Sequence, residues 1–123
     1  MVSVSEKIEV FAHNYRGGAA IRNKAGQHLL VNSSWKLIVG DTKGISLKTL
    51  IGQTKDALVK TNIQHCQWCD DEVFHMQQPN SHLEVFAGKR YSVLRASIVY
   101  RGEEALLILV EPIELGRYLY GGE

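Results

Sequence analysis

Two cysteines and two prolines in 123 residues leave neither a disulfide framework nor a proline-rich linker. A chain of this length buries roughly two-thirds of its unfolded surface and folds around one core without such staples. No apolar run approaches the roughly 20 residues that a membrane-spanning helix requires; the longest uninterrupted one covers residues 105–110. The N-terminus has no basic stretch followed by an apolar core, so no signal peptide is read there, and a soluble, cytoplasmic protein is expected. Neither sign of charge dominates. The formal net charge is +1 with both signs interspersed, which supplies no electrostatic footprint for nucleic acid. Internal repeats, a nucleophile elbow, a phosphate-binding loop and a dinucleotide fingerprint are missing too. An enzyme is not expected, and no catalytic residue is assigned.

What is present is an ordinary globular composition, 45% hydrophobic and 22% charged. In "SVSEKIEVFAHNY", Ser3 and Glu6 have capping-box spacing, and Val4, Ile8, Phe11 and Tyr15 give one apolar stripe. This amphipathic helix is assigned within residues 1–17 and is ended by the "RGG" at 16–18. Residues 19–23 and 28–32 read as two strands joined through Lys24, Ala25 and Gly26. The two-residue period is then lost, and a short helix runs from Ser33 to Gly40. Residues 41–69 read as a string of small helices. "DDEVFHMQQ" reads as a further helix with acidic residues in its first turn. Residues 82–87, 90–100 and 104–113 are strands rich in Val, Leu, Ile and Tyr. The run "ALLILV" does not alternate, as in a central strand covered on both faces. The fold class is therefore α+β: a five-stranded antiparallel sheet flanked by several short helices. The main domain covers residues 18–115, and residues 116–123 form a tail or truncated linker.

The hairpin and its exit carry a spaced set, Asn23, Gly26, Asn32 and Gly40, followed by "LIGQT" with Gly52. In this order and spacing the chain resembles the PAS domain family over residues 19–113. The resemblance implies a sensory module of a bacterial signalling or transcription regulatory protein, one that binds a small ligand and forms homodimers. It also implies that the output is regulated in an attached domain. Two features depart from the family pattern: an insertion at residues 41–46, and "VEPIEL" at the exit of the last strand. Asn32 has a physical role independent of the resemblance, because its side chain can cap a strand-to-helix transition. Gly26, Gly40 and Gly52 are assigned structural roles with it.

Expected walls of a ligand cavity between sheet and helices are Ile21, Leu30, Trp35, Leu58, Val73, Met76, Leu94 and Leu107. The expected dimer surface combines Val4, Ile8, Phe11 and Tyr15 with Tyr91, Val93 and Val99 on the outer sheet face. "HCQWCDDEVFH" concentrates the reactive side chains. No metal site is assigned: Cys66 and Cys69 are expected as free thiols in a helical segment, one or both buried as small apolar residues. A haem- or metal-binding sensor built on His75 or on His65, Cys66 and Cys69 is the weaker alternative. A ligand-free dimerisation module is the other. No cofactor is required by the sequence.

Overall fold

Ser3 starts the first helix as its spacing with Glu6 predicts. Its hydroxyl accepts from the Glu6 amide at 3.1 Å, and the Glu6 carboxylate accepts in return from the Ser3 amide. The computed structural model describes residues 2–113. Helix α1 (Val4–Asn14) leads into strands β1 (Gly18–Asn23) and β2 (His28–Val31). Helices α2 (Ser33–Ile38), α3 (Leu47–Gln53) and α4 (Ala57–Met76) follow, and then β3 (Asn80–Phe86), β4 (Lys89–Tyr100) and β5 (Glu103–Pro112). The strands form one antiparallel sheet in the order β2-β1-β5-β4-β3. The central strand is thus β5, whose "ALLILV" run is apolar toward both faces. The tail at residues 116–123 lies outside the described residues.

Register decides the two faces. Ala20, Ile108 and Arg95 lie opposite one another across β1, β5 and β4, as do Gly18, Val110 and Val93; these share the face covered by α2, α3 and α4. Ile21, Leu107 and Ala96 form one row on the other face, where α1 packs through Ile8, Ala12 and Tyr15. Along its length α1 is tied to the sheet and the β4–β5 turn: Tyr15 donates to Glu111, Tyr100 donates to Glu9, and the Arg101 amide donates to Ser5 Oγ at 2.9 Å. Gly17 is needed between α1 and β1, because a Cβ there would meet the Val110 carbonyl oxygen at 2.4 Å.

One helical expectation is corrected. Residues 57–76 form a single helix of 20 residues, where the sequence predicts two or more pieces. Asp56 caps its start, accepting from the Leu58 and Val59 amides, and no glycine or proline interrupts it. Asp70, Asp71 and Glu72 therefore stand in mid-helix, not at an N-terminus. No helix among the described residues is long and apolar enough to cross a membrane.

Candidate functional site

The hairpin turn needs positive φ at Gly26, which has φ 79°, and Asn23 Oδ1 accepts from the Gln27 amide across it. The segment after α2 then folds back along β2: the His28 amide donates to Ile45 O at 3.1 Å and the Gly44 amide to His28 O at 2.8 Å. His28 Nδ1 donates to Ile45 O at 2.7 Å. The insertion read at residues 41–46 thus fixes one wall of the site. Asn32 fixes another. Its Oδ1 accepts from the Trp35 and Ala19 amides, and its Nδ2 donates to the carbonyls of Ala12, Gly17 and Tyr15. The side chain is a cap for α2 and a junction joining α1, β1 and α2. Trp35, so positioned, donates from Nε1 to Thr42 Oγ1 at 3.0 Å.

Between the sheet and the helices lies a cavity of about 590 Å³. Its apolar walls come from Trp35, Ile38, Leu47, Leu50, Ile63 and Phe86, over a floor of Val93, Ile108 and Val110. Its polar end is a network of buried charges. Arg22 Nε and Nη2 grip the Asp70 carboxylate in a fork, each bond 2.8 Å long, and Arg95 Nε donates to Asp70 Oδ1, also at 2.8 Å. Arg95 places its other two nitrogens on Glu84, and Cys66 Sγ donates to Glu84 Oε1 at 3.1 Å. Arg22 Nη1 lies 3.0 Å from His28 Nε2. Because His28 Nδ1 faces a carbonyl, its Nε2 is the acceptor and the ring is neutral.

Burial of unpaired charge is what such a network avoids, and here two guanidinium groups balance two carboxylates. Burial alone would raise the Asp70 pKa; Arg22 and Arg95 outweigh it and hold the carboxyl below its usual range. Burial, reinforced by Arg22, lowers His28 to about 4. Burial, then Glu84, pushes the Cys66 thiol up to about 12. Arg22, His28, Cys66, Glu84 and Arg95 all line the cavity. Each arginine uses three of its five N–H groups on these partners, so donors remain for a guest.

Several expected site residues stand elsewhere. Of the eight proposed wall residues, Trp35 lines the cavity. Ile21, Leu30 and Leu107 belong to the opposite cluster under α1, and Leu94 is on that same outer face. Val73 is core without reaching the cavity, and Leu58 and Met76 are exposed. The dimer surface is corrected as well: Tyr91 and Val93 are buried on the cavity side, and Val99 shares their parity at an uncovered end of β4. Ile8 and Tyr15 pack against their own sheet, whereas Val4 and Phe11 are exposed. Gly40 donates to Trp35 O at 3.2 Å beyond α2. Gly52 stands inside α3 with open space where a Cβ would be, so the structure gives it no structural role. The set His65, Cys66, Cys69 is divided: Cys66 turns to Glu84, while Cys69 Sγ lies 3.4 Å from His65 Nε2. His75 is exposed near the end of α4 and away from the cavity.

Sequence reasoning missed Arg22, Arg95, Asp70 and Glu84. A signal was there: Arg22 and Arg95 each interrupt an apolar strand.

No family model and no curated protein matches the sequence. Solved structures do match. A domain of an HTR-like protein from Haloarcula marismortui superposes with a TM-score of 0.62 at 13% identity, over 78% of this chain and 96% of that one. The PAS domain of nitrogen regulation protein NR(II) from Vibrio parahaemolyticus gives 0.56 at 16% identity, over 86% of this chain and 97% of that one. This chain has the PAS fold. The phage VqmA–DPO complex aligns with 93% of this PAS chain at a TM-score of 0.69 and 12% identity, and this chain spans 56% of that one.

Proposed function

We propose that this chain is a ligand-sensing PAS module that acts as a homodimer and regulates an attached output domain in the cytoplasm. The cavity carries this reading: about 590 Å³ falls in the range of small-molecule sites, and polar groups converge on one end of an apolar chamber. The charges at that end neutralise one another, so an anionic guest gains no net attraction. An uncharged molecule with an apolar body and a hydrogen-bond-accepting edge fits the free arginine donors. The fold neighbour VqmA holds DPO in its phage form and occurs as a ligand–DNA complex from Vibrio cholera, which supports sensing coupled to transcription. Binding rather than catalysis is further supported by the state of the polar groups. A neutral His28 and a protonated Cys66 are poised neither as acid nor as nucleophile near neutral pH.

Native mass spectrometry of the protein as purified tests the reading. An additional small-molecule mass is expected, and Leu50→Trp, which pushes an indole into the cavity, removes it while circular dichroism stays unchanged. An unliganded mass, together with no thermal shift from a panel of uncharged heterocycles, would favour the ligand-free dimerisation module instead. The dimer is supported by Leu94 (41% exposed) and Leu83 (63%) on the outer sheet face, and by Phe11 (49%) on α1.

A further inference from the structure

Away from the cavity, α4 and β3 bring together side chains that ligand sensing leaves unused. His65 and Cys69 are one turn apart on α4, so both project from one face, and His65 Nε2 lies 3.4 Å from Cys69 Sγ. His82, on β3, completes the set: one ligating atom from each of His65, Cys69 and His82 lies within 4.8 Å of the others. Tetrahedral zinc bonds of about 2.0–2.3 Å put ligand atoms about 3.3–3.8 Å apart. The first pair already has that spacing, and His82 closes the site by moving about 1 Å. Side-chain rotation is enough for this, because His65 is exposed and His82 partly so.

The surroundings fit the same chemistry. Glu72 Oε1 lies 3.0 Å from His82 Nε2 and is itself held by Asn80 Nδ2 at 2.7 Å. With its Nε2–H given to Glu72, His82 is left to ligate through Nδ1, and a carboxylate bonded to the other nitrogen of a ligating imidazole is the usual partner that orients it. Asn80 also donates to the carbonyl of Cys69, so one side chain steadies both ends of the cluster.

We propose that His65, Cys69 and His82 form a site for a zinc-class divalent ion, with Glu72 as the residue that positions His82. Two imidazoles and one thiolate suit such an ion, and a fourth position stays open toward solvent beside His65. Binding releases the Cys69 thiol proton, and the metal–sulfur bond takes its place. The ion staples α4 to β3, the elements that carry Cys66, Asp70 and Glu84 of the charge network.

Zinc and cobalt salts are the probes, on the full chain under reducing conditions. Native mass spectrometry should count one ion per chain, and cobalt should give a thiolate charge-transfer band in the near ultraviolet with intense tetrahedral bands in the visible. H65A and H82A should each weaken binding at least tenfold, C69S should abolish the charge-transfer band, and E72Q should weaken binding while leaving the band in place. H75A, on the same helix, should match the parent. Both histidines are at least partly exposed, so H65A and H82A remain testable even if C69S unfolds; circular dichroism checks each variant. Absence of stoichiometric binding, a cobalt complex without the thiolate band, or parental affinity in both H65A and H82A would overturn the proposal.

Discussion

Asn32→Ala should destabilise this protein well beyond the loss of a helix cap. A cap alone is worth about 1 kcal/mol. Asn32 is only 2% exposed, and it joins the amides of Ala19 and Trp35 to the carbonyls of Ala12, Gly17 and Tyr15. Truncation leaves the Ala19 amide, a buried donor, without the side-chain oxygen it bonds, at about 1–3 kcal/mol. The Tyr15 and Gly17 carbonyls are part-buried and recover some of their bonding from water, whereas the Ala12 carbonyl is buried. The sum is about 3 kcal/mol. With a urea slope of about 1–3 kcal/mol per molar, the midpoint should fall by roughly 1–3 M, read by tryptophan fluorescence through Trp35. Asn32→Asp separates the two halves of the side chain: it keeps the acceptor but turns a carboxylate oxygen on the carbonyls that Nδ2 now satisfies. It should cost at least as much as alanine at neutral pH. An alanine cost near 1 kcal/mol, or an aspartate variant as stable as the parent, would refute the junction and leave only the cap.

Three further outcomes follow from the buried network and the outer face. His28 titrates near 4 when folded and at 6.5 unfolded, so between those values the unfolded chain binds more protons and stability falls with falling pH. The full loss is about 3 kcal/mol; the segment from pH 6.5 to 5 should be visible in urea melts and absent in His28→Asn, since the low Asp70 pKa confines that group to more acid solution. Asp70→Asn leaves two buried guanidinium groups facing one carboxylate and should cost about 3–5 kcal/mol, whereas exposed neighbour Asp71→Asn should leave the urea midpoint unchanged; equal midpoints for the two variants would remove Asp70 from the network. Leu94→Asp should turn a dimer into a monomer by light scattering without moving the monomer's circular dichroism; a chain that is monomeric before substitution would instead dispose of the outer-face dimer.

Much of the architecture was written locally. Capping at Ser3, the glycine turn at Gly26, the switch at Asn32 and the three Val- and Leu-rich strands each depend on residues close in sequence, and they sufficed to order the elements and suggest the PAS resemblance. The faces of the sheet did not follow, because β1 and β5 are apolar on both sides: α1 covers one face and the cavity helices the other. Alternation then has no polar row to anchor it, and the natural choice sends an arginine to solvent. Here Arg22 and Arg95 point inward, which inverts the parity and moves Ile21, Leu94 and Leu107 out of the cavity.

The length of α4 was obscured for a related reason. "CDDE" looks like the acidic opening of a new helix, yet Asp70 serves two arginines from other strands while the helix runs through it. Local propensities, turns and caps were thus determined by the sequence alone, since their partners are a few residues away. Which charges are buried, and where the cavity lies, was decided only in the tertiary structure. A buried ion is tolerable only when its counter-ion arrives from a distant segment, and Asp70 lies 48 residues from Arg22 and 25 from Arg95.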